Sequence, residues 1–204
     1  RSYPPTKEFL EAIKYLKNKY KFILIFDECT SGFRETYGGL HKKFNIFPDI
    51  CVYGKAMGNG YGITAVLGKK SIMDKAQKTF ISSTFWTERV GPTAALKTLE
   101  IMKKIKSWEL ISKKGKFFKQ RLIKLAKKYD LPINVFGSDG IPSFNFDSNN
   151  NLKYKTYITQ EMLKSNILAS NVIYISIKHD SKKFNDYFNC LEPIFQKIAE
   201  CESG

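Results

Sequence analysis

Two short apolar runs in this chain each end in a group that carries charge. Phe22-Ile23-Leu24-Ile25-Phe26 is followed at once by Asp27-Glu28, and Ile50-Cys51-Val52-Tyr53 by Gly54-Lys55. Runs of this length, rich in β-branched and aromatic residues, read as strands buried on both faces, as in a parallel sheet. Ligands of open α/β sheets sit at the carboxyl ends of the strands. The pattern predicts that Asp27 and Lys55 share one crevice, bringing an acid and an amine to a single ligand. Charges are also ordinary where a chain leaves a core, and Gly54-Lys55 by itself reads equally as a turn.

The residues around this pair resemble the class III aminotransferases, pyridoxal phosphate (PLP) enzymes of fold type I, and within them the glutamate-1-semialdehyde aminomutase branch. Leu24-Ile25-Phe26-Asp27-Glu28 with Thr30-Ser31-Gly32-Phe33-Arg34 is similar to that family's acidic strand end and Gly-Phe-Arg turn. Pro48-Asp49-Ile50 with Gly54-Lys55-Ala56-Met57-Gly58-Asn59-Gly60 is similar to its lysine segment, and the separation, 55 − 27 = 28 residues, fits. Ser83-Thr84-Phe85 and Ala94-Ala95-Leu96-Lys97-Thr98-Leu99-Glu100 resemble the family's segment beyond that lysine. The motifs lie between Leu24 and Glu100, and their strength is in combination.

PLP chemistry asks three things of a protein: a lysine, an acid for the pyridine nitrogen, and a cradle for the phosphate. The resemblance implies that Lys55 forms the aldimine and, once freed, moves the proton between the substrate Cα and the cofactor. Desolvation and a cationic neighbour favour the neutral amine this needs. It assigns Asp27 to the ring nitrogen, where a carboxylate stabilises the pyridinium. It assigns Thr84 to the phosphate of the neighbouring subunit's cofactor, which implies a homodimer with its sites at the interface. Small-molecule amino donors and acceptors are then the substrates. Arg34, His41 and His179 read as structural.

Some features depart from the family's pattern. Trp86-Thr87-Glu88 stands where most members carry a small residue, Gly and Asn. Trp86 and Arg89 reshape the phosphate end or the substrate entrance on one reading; on the other, Trp86 is purely structural. No arginine follows Arg121, and Leu168-Ala169-Ser170-Asn171-Val172 lacks the glutamate many members carry. A bidentate arginine near the C-terminus, the usual holder of a substrate carboxylate, is therefore ruled out, which leaves amino-sugar or polyketide-type substrates open. The family's cis phosphate loop and ring-stacking aromatic precede the part this chain resembles.

The elements that must position these residues follow from periodicity. Thr6 caps an amphipathic helix to about Lys19. The Phe22 strand follows directly, and two strands with one helix cannot cover both faces of a parallel sheet. The chain is thus expected to be the C-terminal part of something longer. Past the Gly58–Gly62 loop the pattern predicts a strand over 64–67, a short helix over 71–77, a strand over 79–84, and a helix with Pro92 in its first turn ending near Ile105. A boundary near Lys106 separates residues 1–106 from 107–204. The second part reads as a small α+β domain. It has a Ser107-capped helix to about Tyr129, strands at 133–136 and 142–146, a polar turn at Asn149-Asn150-Asn151, and a helix over 156–164. A strand pair near 167–168 and 172–177 and a Ser181-capped last helix complete it. With the resemblance, the expected fold is α/β: the C-terminal part of a fold type I large, PLP-binding domain, then a small α+β domain.

Composition bounds the rest. With 204 residues, 43% of them hydrophobic, there is material for one large or two small cores. No apolar run spans a membrane and no signal peptide is apparent. The scattered Cys29, Cys51, Cys190 and Cys201 suit reduced thiols in a cytoplasmic protein and no metal site. Net charge is +15, yet only four of the 34 basic residues are arginine, and the lysines spread over helix faces, which argues against nucleic acid. The expected function is amino transfer through a lysine aldimine. The alternative is a truncated, non-catalytic fragment that keeps the fold and dimer surface without cofactor. Alone, the chain is expected to bind PLP weakly and to be inactive.

Overall fold

Thr6 starts the first helix as its sequence predicts. In the computed structural model, which describes residues 5–85 and 87–203, its hydroxyl accepts from the Phe9 N–H at 3.2 Å. Helix α1 (Lys7–Tyr20) ends where Lys21 turns left-handed and its N–H bonds the Lys17 carbonyl. The described residues divide into two compact units, Pro5–Glu109 and Leu110 onward.

The first unit is built on strands β1 (Ile25–Asp27), β2 (Ile50–Tyr53) and β3 (Ala65–Gly68), in the order β1-β2-β3. β1 and β2 are parallel, with Asp27 opposite Val52. β3 runs antiparallel to β2, with Ala65 opposite Tyr53. The strands are not buried on both faces. Ile23 is 53% and Ile25 56% exposed, and Val66 and Leu67 are exposed on β3. The helices of this unit leave part of the sheet's apolar surface open. Helix α2 (Lys70–Met73) passes into a 3₁₀ turn, Asp74–Lys78. Residues 79–84 form no strand: Phe80 is 94% exposed, and no strand of the described residues pairs with this stretch to complete its backbone bonds. Helix α3 (Val90–Ile105) carries Pro92 in its first turn and buries Ala95.

Asp49 ties this unit together. Its buried carboxylate accepts from the Leu24 N–H at 2.9 Å and pairs with Lys17 at 2.8 Å and Lys69 at 2.7 Å. One side chain thus links α1, the start of β1 and the end of β3. Burial alone would raise its pKa, but the Leu24 N–H and the two ammoniums outweigh it and hold the carboxyl far below the usual range.

Helix α4 (Ser107–Lys128) follows a left-handed Lys106. Ser107 is not its cap: the hydroxyl is buried without a hydrogen-bond partner among the described residues, and the Glu109 N–H bonds the Lys106 carbonyl. In the second unit β4 (Ile133–Phe136) and β5 (Ser143–Phe146) form an antiparallel hairpin, followed by α5 (Asn151–Lys164) and α6 (Ser181–Ser203). The core is aromatic, with Phe118, Phe144, Phe146, Phe188 and Phe195 buried beside Leu122, Ile158 and Leu191. Gly115 is required on α4, because a Cβ there would lie 1.7 Å from the Asp139 carbonyl oxygen.

Three expectations in this unit need correction. Helix α5 begins at Asn151 rather than Thr156. The Asn151 side chain accepts from the Phe146 N–H at 2.9 Å, and Asn149 and Asn150 form the polar turn that leads into the helix. Residues 167–177 form no strand pair; Asn171, Ile173 and Ile175 make single backbone bonds to Phe144, Pro142 and Gly140, with one isolated bridge, Ser143 to Val172. Helix α6 is capped by Asp180, whose carboxylate accepts from the Lys183 N–H at 2.9 Å, and not by Ser181. The Lys183 side chain and N–H bring the pKa of Asp180 down to about 2. No helix of the described residues is long and apolar enough to cross a membrane, and no group of three or more His, Cys, Asp or Glu among them could hold a metal.

Candidate active site

Parallel pairing of β1 and β2 brings their carboxyl ends to one edge. Asp27 stands opposite Val52, and the Glu28 N–H bonds the Val52 carbonyl at 2.8 Å. Three residues past Val52, Lys55 sits at a left-handed φ of 43°, uncommon for a residue with a Cβ. The turn is held by the Gly58 and Asn59 N–H groups, which both donate to the Lys55 carbonyl at 3.1 Å. Met57 anchors it in a core with Cys51, Tyr53 and Ala95. Asp27 and Lys55 are both exposed.

Cys29 and Thr30 lie between them. The Cys29 N–H donates to the Asp27 carboxylate at 3.0 Å. Burial pushes the Cys29 thiol up, the hydrogen bond and charge of Asp27 add to this, and Lys55 opposes it. One thiol thus senses both predicted residues. The Lys55 ammonium donates to the Thr30 hydroxyl at 2.5 Å. Asp27, Cys29, Thr30 and Lys55 thus lie along this edge, Asp27 tied to the Cys29 N–H and Lys55 to the Thr30 hydroxyl.

Glu28 organises the loop beneath. Its buried carboxylate accepts from the N–H groups of Leu40 (3.0 Å) and His41 (2.9 Å), from the Ser31 hydroxyl, and lies 3.0 Å from His41 Nδ1. Gly32 fits because a Cβ would meet the Glu28 carbonyl and the Tyr53 ring, each at 2.7 Å. Arg34 Nε donates to the Thr30 carbonyl at 2.7 Å, a structural bond within the turn. Cys51 Sγ lies 3.6 Å from His41 Nδ1, the same nitrogen that faces Glu28. Glu28 and Cys51 thus both face one nitrogen of a buried ring.

Thr84 stands apart from this group, exposed at a turn where the Phe85 N–H bonds the Ser83 hydroxyl. Phe85 packs toward Gly62, where a Cβ would lie 3.3 Å from its ring, and Gly91 at the start of α3 approaches the Gly62 carbonyl. The Thr84 turn is thereby set against the glycine loop that follows Lys55. Arg89 is the exposed residue before α3, and Trp86 lies outside the described residues. In the second unit, Arg121 donates to Asn185 and stacks 4.4 Å over Phe188. His179 Nδ1 accepts from the Ser176 N–H, and burial with Lys114 and Lys183 lowers its pKa. Leu168 is 89% exposed. Sequence reasoning passed over Glu28 and Thr30. Glu28 stood in the same acidic pair as Asp27, but its partners lie 12 and 13 residues away, across a fold no local spacing reveals.

The family model described as "Aminotransferase class-III" matches residues 2–176. A 3-aminobutyryl-CoA aminotransferase of Cloacimonas acidaminovorans is 34% identical over 96% of this chain and 48% of its own. A glutamate-1-semialdehyde 2,1-aminomutase of Saccharolobus islandicus is 27% identical over 96% of this chain and 49% of its own. Among solved structures, the Sphingopyxis sp. MTA144 FumI protein in its PLP internal aldimine form is similar at a TM-score of 0.89, with 21% identity, 98% of this chain and 49% of that one. An omega-transaminase from Sphaerobacter thermophilus is similar at 0.86, with 18% identity, 97% of this chain and 49% of that one. The chain spans about half the length of the curated relatives it matches.

Proposed function

This chain belongs to the class-III aminotransferases, a family that uses pyridoxal phosphate, and from that premise we propose that it is the lysine-bearing part of an enzyme that transfers amino groups between small molecules. The observation that carries the reading is the single edge holding the Asp27 carboxylate and the Lys55 amine, bridged by Cys29 and Thr30. The donor set fits the cofactor's two reactive ends: a primary amine suits an aldehyde carbon, and a carboxylate suits a protonated ring nitrogen. Bound pyridoxal phosphate supplies an electron sink for negative charge at the substrate Cα.

In this reading Lys55 would hold the cofactor and, as a free amine, would take the proton from the substrate Cα and deliver it to the cofactor's former aldehyde carbon. Asp27 keeps the ring nitrogen protonated. Thr84 donates its hydroxyl to the phosphate of the cofactor in a second copy of the chain, so the working unit is a homodimer. Residues 1–106 are the C-terminal part of the cofactor-binding domain and 107–204 a small C-terminal domain. The test uses the whole enzyme that carries this chain and follows ¹⁵N from a panel of amino donors to an acceptor, with pyridoxal phosphate present. Transfer lost in Lys55→Ala supports the reading, and transfer that persists in that variant overturns it.

A further inference from the structure

The geometry points to Thr30 as the residue that positions the Lys55 amine, an assignment that rests on the function proposed for Lys55. A lysine side chain carries about 2 kcal/mol of rotamer entropy and an exposed one is ordinarily spread through solvent. Lys55 is exposed, yet its nitrogen lies 2.5 Å from the Thr30 hydroxyl. Both ends of that bond are fixed. The left-handed backbone of Lys55 sets the direction from which its side chain leaves. Thr30 is fixed by the Arg34 bond to its carbonyl and by both neighbours: the Cys29 N–H is tied to Asp27, and the Ser31 hydroxyl to Glu28.

The chemistry of a hydroxyl makes it a better holder here than the nearby carboxylate. A threonine hydroxyl accepts from an ammonium and donates to a neutral amine, whereas an ionised carboxylate only accepts. Asp27 therefore offers no proton to the neutral amine's lone pair, and its charge attraction to Lys55 lasts only while the lysine is protonated. Thr30 keeps a bond to it in both states. A lysine that gives up and regains a proton during a reaction then stays at one place throughout. The other titratable group at this edge, the Cys29 thiol, is held protonated by burial and by Asp27, so it adds no charge near neutral pH.

Competitive acetylation of the full chain with trace acetic anhydride, from neutral to alkaline pH and without cofactor, tests the assignment. The Lys55 peptide is quantified by mass spectrometry against the exposed Lys103 and Lys113. In Thr30→Val the alkaline plateau rate of Lys55 is expected to rise about fivefold, the factor of one ordinary hydrogen bond to the amine lone pair. Thr30→Ser is expected to keep the wild-type profile, and Thr30→Ala gives the same reading as valine if the larger side chain disturbs the turn. A wild-type profile in both Thr30→Val and Thr30→Ala, or a serine variant that rises as far as they do, overturns the assignment. Borohydride trapping of pyridoxal phosphate on the same proteins reads the other proposal separately. Label away from Lys55 refutes the function given to that lysine, while the acetylation profiles still decide what holds its amine.

Discussion

At the scale of single residues, the site combines groups that the sequence announces with groups it conceals. Asp27 and Lys55 were legible because each breaks off an apolar run, and a charge at a parallel strand end has a place to act. Their companions were not. Thr30 is an ordinary turn residue until Lys55, 25 positions later, reaches it. Glu28 reads as half of a solvated acidic pair until the chain returns Leu40 and His41 to it. Hydrogen bonds of this kind depend on loop closure, which leaves no periodic mark. The role proposed for Asp27 has a direct test. In the whole enzyme that carries this chain, Asp27→Asn is expected to leave Lys55 able to take up pyridoxal phosphate, seen in absorbance, while amino transfer falls by orders of magnitude, each ~1.4 kcal/mol of lost transition-state stabilisation being about tenfold. Near-normal turnover would refute the role.

At the scale of elements, polar clips and hydrophobic runs divide the work. The runs were readable, so α1, β2, α3 and the β4–β5 hairpin fall where periodicity puts them. Element ends were read less well: Asp180, not Ser181, caps α6, and the stretch 79–84, apolar only at Phe80 and Ile81, made no strand because no strand of the described residues pairs with it. Asp49 is the clearest clip, joining α1, β1 and β3 through Lys17, Leu24 and Lys69. Its pKa is depressed in the folded chain, so its stabilisation is fully present above the ordinary carboxylate value near 4 and is lost as pH falls toward the folded value. Asp49→Asn is expected to cost about 2 kcal/mol at neutral pH, in line with hydrogen bonds to charged groups. Urea unfolding at neutral pH and below pH ~4 checks this: the gap between variant and wild type narrows in acid. A gap that stays constant with pH would remove the electrostatic explanation.

At the scale of the whole molecule, the two units differ in how completely they bury themselves. The second unit encloses an aromatic core, and its phenylalanine-rich helices made that legible. The first leaves Ile23, Ile25, Val66 and Leu67 open on its sheet, together with Phe80, Ile81 and Phe85 on the Thr84 loop. We take the Thr84 loop to be the surface that a second copy covers in the proposed homodimer. Composition could not show this openness, because hydrophobic content says how much apolar surface exists and not what covers it. A phosphate dianion needs paired donors before it can be buried, and the side chains grouped around Lys55 offer one amine and one hydroxyl. Residues 1–204 alone are therefore expected to hold pyridoxal phosphate more weakly than about 1 μM, or roughly −8 kcal/mol. Equilibrium dialysis measures this, and a saturable sub-micromolar site would show that the chain carries a complete cradle.

The central claim is that one lysine among many is the cofactor's amine. Reduction of the chain with borohydride in the presence of pyridoxal phosphate, followed by peptide mapping, tests it most directly and works even where binding is weak. Label is expected to concentrate on Lys55, reached from the edge that carries Asp27 and Thr30. Label concentrated on Lys69 or Lys70, or spread evenly over the surface lysines, would contradict it.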